Sequence, residues 1–186
     1  MDNNKGFTLI ELLVSIAIFG IVIAAVFGFM ISGSKTYSNI NGKVDLQTNA
    51  QLTMNFLEEY LIDCDEAIYD KEDTTNKINS LYIINKATTN YSVYIFKFYG
   101  NNHSIYFIQG TAKKQADGSF ICDHLESPAL LSDMISAFKP TLSDTGDHQN
   151  VVSVKLTITF KNYSTEIISS KLIALRNKPA YKIVVE

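Results

Sequence analysis

Hydrophobic and polar residues follow three regimes along the 186 positions of the chain. From Phe7 to Ile31, 20 of 25 residues are Ala, Val, Ile, Leu, Met or Phe. Wound as a helix at about 1.5 Å per residue, the run extends about 37 Å, enough to cross a hydrocarbon core of about 30 Å. From residue 32 the pattern turns polar, with apolar positions three and four apart: Tyr37, Ile40 and Val44, then Met54, Leu57, Leu61, Cys64 and Ile68. This spacing gathers them on one face and predicts an amphipathic helix over 32–68 that continues the apolar one. The chain is therefore expected to open on a single helix of about 60 residues, which Gly33 and Gly42 weaken without breaking and which the polar stretch 71–79 ends.

After that stretch, β-branched and aromatic residues dominate short runs separated by turn formers, the pattern of strands. Strands are expected at Leu81–Asn85, Tyr91–Tyr99, Ser104–Gln109, Phe120–Asp123, Met134–Phe138, Val151–Phe160 and Glu166–Leu175. Val152, Val154, Leu156, Ile158 and Phe160 alternate and share one face. Gly100-Asn101-Asn102 and Lys161-Asn162-Tyr163 have the composition of hairpin turns, and Glu126–Asn150 reads as loop-rich. The expected fold is α+β: a long N-terminal helix packed through its polar half on an antiparallel β-sheet, with residues 69–186 forming a β-rich domain.

Charge narrows the setting. Beyond Ile31 there are 15 basic and 17 acidic side chains, so bulk electrostatics implies no strong partner and leaves nucleic acid open as a ligand. Lys5 precedes the apolar run and Lys35 follows it. A positive charge on the short N-terminal side points to a cytoplasmic N-terminus, with the domain on the other side of the membrane. A secretory signal has a shorter apolar core, about 7 to 15 residues, and a small-residue cleavage site after it. This run fits neither condition.

Glu11 is the single ionisable group inside the run. A lone carboxylate in hydrocarbon costs about 2.5 kcal/mol or more on insertion scales, so it needs a partner or a neutral state. No Lys, Arg or His lies within reach on the same stretch, which leaves another molecule or a newly exposed α-amino group.

The segment from Lys5 to Val22, KGFTLIELLVSIAIFGIV, closely resembles the processing and methylation motif of type IV pilins and of the pseudopilins of type II secretion and DNA-uptake machines. The resemblance implies a leader over residues 1–6 and cleavage between Gly6 and Phe7 by a prepilin peptidase. It also implies methylation of the new N-terminal Phe7, and a Glu11 that pairs with the charged N-terminus of a neighbouring subunit. Residues 7–31 would then be the transmembrane and assembly helix, and the mature chain a membrane protein destined for a surface filament. Its implied partners are other pilins or pseudopilins, the peptidase, the membrane and its assembly platform. Many major pilins carry a proline near the position of Gly28. The stretch around Gly28 is expected to be helical in an isolated subunit and able to loosen in an assembly. Glu59-Tyr60-Leu61 with Asp63 and Ala67, the strands YSVYIFKFYG and SIYFIQG, and the closing LIALRN resemble minor pilins of the PilW, GspJ and ComGF type. Such proteins are implied to start or cap a filament.

The chain has no phosphate loop, nucleophile elbow or H-E-x-x-H helix, so no enzymatic role and no cofactor is expected. His103, His124 and His148 are scattered. Cys122-Asp123-His124 offers two ligands, far short of a zinc site, and no metal is expected. Cys64 and Cys122 could close one disulfide between the helix end and the sheet, worth about 4 kcal/mol by chain entropy; otherwise they pack as small apolar residues. The tyrosine-rich strand Tyr91–Tyr99 is expected in the sheet core rather than as a base-stacking platform. Two functional classes remain: a structural assembly subunit, and a tip or competence subunit that binds DNA, a surface or another protein through the loops of Glu126–Asn150.

Overall fold

The apolar run and the polar stretch after it wind into one helix. In the computed structural model, which describes residues 8–73, 77–87, 90–116, 118–144, 151–162, 165–177 and 180–181, α1 spans Leu9–Leu61 without a break, through Gly20, Gly28, Gly33 and Gly42. The chain divides into two units, residues 1–42 and 43–186. Within the first, the large apolar side chains from Leu9 to Ile31 are exposed, and the helix is long and apolar enough to cross a membrane.

The second unit begins on the last turns of α1, where Leu46, Ala50, Thr53, Met54, Leu57 and Leu61 form the buried stripe. Tyr37, Ile40 and Val44, expected on that packed face, are exposed instead. The helix also stops seven residues before the expected Ile68. Asp63 and Asp65 flank Cys64, and aspartate favours turns by offering its carboxylate to nearby backbone donors. Here the Lys86 amide donates to Asp65 Oδ2 at 2.6 Å. The chain then turns into a strand, β1 (Glu66–Asp73). Ala67 and Tyr69 share one face of β1 and Ile68 takes the other, so the helical spacing of Leu61, Cys64 and Ile68 was coincidental.

Seven strands make the larger sheet: β1, β2 (Ile78–Lys86), β3 (Tyr91–Tyr99), β4 (Ser104–Lys114), β5 (Phe120–Leu125), β6 (Ala129–Ser132) and β10 (Ala180–Tyr181). They run in the order β10-β1-β2-β3-β4-β5, with β6 also on β4. All pairs are antiparallel except β10, which lies parallel to β1. β4 is long enough to pair with β5 over Gly110–Lys114 and with β6 over Ile105–Phe107. A second sheet of three strands follows: β7 (Ile135–Asp144), β8 (Val151–Lys161) and β9 (Glu166–Ala174). The stretch expected to be loop-rich thus holds β6 and all of β7; residues 145–150 lie outside the described residues.

One core joins the helix stripe to both sheets. Leu81, Ile83, Phe96, Phe98 and Ile105 of the larger sheet meet Leu46, Leu57 and Leu61, as do Phe138, Val154, Leu156, Ile158 and Phe160 of the smaller one. Val154 to Phe160 is the expected alternation in place; the side chain of Val152 lies outside those described. Full burial of one Leu or Phe contributes about 1.5–3 kcal/mol, so this apolar contact dominates the domain's cohesion. The opposite face of the larger sheet has its own smaller cluster around Ile84, Val93, Ile95 and Ala112. Gly110 lets β5 lie close against β4: a Cβ there would lie 2.1 Å from the carbonyl oxygen of His124.

Candidate functional site

The start of α1 is organised by two residues of the sequence motif. Thr8 stands before the first helical residue, and its hydroxyl accepts from the Glu11 amide at 3.4 Å. In return Glu11 Oε2 accepts from the Thr8 amide at 3.0 Å and from the Thr8 hydroxyl at 2.9 Å. This reciprocal pair is a capping box, which satisfies donors that the first helical turn leaves open. The carboxylate therefore has local donors within the chain, which a search for cationic partners alone overlooks; Thr8-x-x-Glu11 was the signal that carried them. Its negative charge remains without a described counter-ion, at the helix end where the dipole favours an anion. Gly6 and Phe7, the expected cleavage and methylation positions, lie outside the described residues.

Along the rest of the apolar run the large side chains from Leu9 to Ile31 are exposed among the described residues, and Tyr37, Ile40 and Val44 continue the exposed apolar surface. A helix apolar over this length is covered in a stable state by lipid or by other helices.

The other sequence candidates are dispersed. Of the two arrangements considered from sequence, Cys64 and Cys122 take that of free thiols. Cys64 belongs to the core beneath the helix, whereas Cys122 packs with the cluster on the opposite face of the larger sheet, so the sheet itself separates them. Burial pushes the Cys64 thiol up to about 12, aided by the Asp65 carboxylate, and burial also raises that of Cys122. His103 holds a left-handed backbone (φ 55°) in the β3–β4 turn, and His124 lies on β5. His148 falls outside the described residues. On β3, Val93, Ile95, Phe96 and Phe98 are buried. Phe96 and Tyr94 join Phe56, Tyr60 and Phe107 in a cluster of rings at 4.7–6.2 Å, so the aromatic strand anchors the helix.

Two further features escaped the sequence. An apolar cleft of about 340 Å³ opens on the sheet face away from the helix, between Ile68, Ile84, Val93, Phe120 and Cys122. The end of α1 is also clasped from afar. The Arg176 amide donates to the Ile62 carbonyl at 2.9 Å, and Asn177 Nδ2 donates to the Asp63 carbonyl at 2.8 Å and to Asp65 Oδ1 at 3.3 Å. Arg176 pairs with the Asp63 carboxylate at 2.6 Å.

Residues 1–27 match the family described as the prokaryotic N-terminal methylation motif. No curated protein and no solved structure matches the chain.

Proposed function

We propose that the chain is a type IV prepilin or pseudopilin processed by prepilin peptidase, a reading supported by the match of residues 1–27 to the N-terminal methylation motif, and that it is a minor, non-enzymatic subunit that helps start or cap the assembly of a pilus or pseudopilus. In this reading the leader is removed between Gly6 and Phe7, Phe7 is methylated, and the helix passes from the membrane into a bundle of sibling helices with its domain outside the cytoplasm. The observation that carries the proposal is the apolar surface from Leu9 to Ile31, whose large side chains are exposed and whose single ionisable group is a carboxylate held at the helix start. In the assembled state other helices cover that surface. Tyr37, Ile40 and Val44 extend it along α1, which accounts for apolar spacing that stays exposed among the described residues.

Glu11 has two separable roles here, closing the cap and pairing with the charged N-terminus of a neighbour. Glu11→Gln keeps an oxygen for the Thr8 donors and loses the charge; Glu11→Val loses both. Both variants are expected to be cleaved normally, and both to fall about tenfold or more in filament fractions, since an unpaired charge buried between helices costs several kcal/mol. The readout is immunoblotting of sheared filaments against membranes. Wild-type incorporation of Glu11→Gln would reduce Glu11 to a capping residue. The alternative of a tip subunit that binds through loops at Glu126–Asn150 has less to stand on, because Ala129–Ser132 and Ile135–Asp144 are strands.

A further inference from the structure

The smaller sheet has two sides without a neighbouring strand among the described residues, and they differ in kind. β7 carries Pro140 and two register shifts against β8, features that spoil pairing on an outer side. β9 is regular: it pairs with β8 from Glu166 to Ala174 without a shift. A long regular edge strand rich in β-branched residues presents open backbone donors and acceptors to any strand that fits.

What fits is written in the strand itself. Ile167-Ile168-Ser169-Ser170-Lys171-Leu172-Ile173 has nearly the same polarity read in either direction from Ser170. Ile168 and Leu172, on the outward face on either side of Ser170, are each 68% exposed. In an antiparallel pair of two such strands centred on Ser170, Ile168 faces the partner's Leu172 and Leu172 faces the partner's Ile168. On the inner face Ile167 meets the partner's Ile173 and Ser169 meets the partner's Lys171, while on the outward face Glu166 ends opposite the partner's Ala174. No like charges meet. A two-fold contact requires this kind of self-complementarity, and facing apolar residues are the pairs that stabilise a sheet. The inward lysine, a device that otherwise discourages edge pairing, is already neutralised by Glu58.

We propose that β9 is a homotypic docking edge: two copies of this chain pair β9 to β9, antiparallel about Ser170, and join their three-stranded sheets into one. The contact is independent of leader processing, so it stands or falls separately from the assembly role.

Oxidative crosslinking of full-chain variants in membranes, each with one introduced cysteine in a Cys122→Ser background that keeps only the buried Cys64, tests it. At the centre, Ser170→Cys places two thiols directly opposite each other. Ile168→Cys places them four residues out of register, about 14 Å apart at about 3.4 Å per residue. Ser170→Cys is therefore expected to give covalent dimer at least about tenfold faster than Ile168→Cys, and adding Leu172→Lys, which sets a charge against the partner's Ile168, is expected to abolish that difference. Equal rates at the two positions, no dimer at Ser170→Cys, or crosslinks from it only to other membrane proteins would overturn the proposal.

Discussion

At the scale of single residues, the informative side chains are those whose surroundings depart from what their type prefers. Glu11 is a carboxylate in an apolar run, yet its oxygens are occupied by Thr8, so the helix start is ordered before any partner arrives. Cys64 is a thiol sealed in the core with an ionisation pushed up to about 12. Without reductant, alkylation of denatured protein is expected to add two labels, whereas folded protein leaves Cys64 unlabelled; absence of labels after denaturation would show a disulfide. The raised thiol also sets a sign for pH. In the unfolded chain it ionises near its ordinary value of 9.0, while the fold holds the proton until about 12. Stability is therefore complete below about pH 9 and lost as pH rises toward about 12. Tyr60 and Tyr69, raised chiefly by burial, act in the same direction. Cys64→Ala is expected to lose less stability than wild type between about pH 8 and pH 11 in urea titrations; parallel losses would contradict this.

Among the elements, the helix end shows where sequence reading succeeded and where it stopped. The apolar run, the stripe from Met54 to Leu61 and the alternation of β8 were legible because each keeps one period over many residues. β1 was not, because five of its eight residues are charged and its burial comes from neighbours distant in sequence. β6 has four residues and β10 two, too few to show any period. The clasp of α1 by Arg176 and Asn177 joins positions more than 110 apart, a contact no local pattern encodes. Asn177→Ala removes the donor that satisfies the Asp63 carbonyl, at a cost of about 1 kcal/mol, or about 2–4 °C in Tm for a chain of this size. Arg176→Ala keeps its backbone bond and loses an exposed ion pair, for a cost of about 0–1 kcal/mol. Differential scanning fluorimetry of the two variants checks the order; an equal or larger loss for Arg176→Ala would show that the ion pair holds the helix end.

For the whole molecule, the boundary near residue 42 separates a helical segment whose described large apolar side chains are exposed from a domain that buries its own core. In the first unit the methylation motif was legible from sequence, because it is local and contiguous. The second unit has two sheets rather than one, since strands that share a face look alike in sequence whichever sheet they join. In the function we propose, this chain is a precursor, matured at its N-terminus before it assembles. Intact mass and N-terminal fragmentation of protein isolated from cells with prepilin peptidase test it most directly. The expected mature chain begins at Phe7 with one added methyl group and reverts to the Met1 form when the peptidase is deleted; a chain that keeps residues 1–6 in the presence of the peptidase would contradict it.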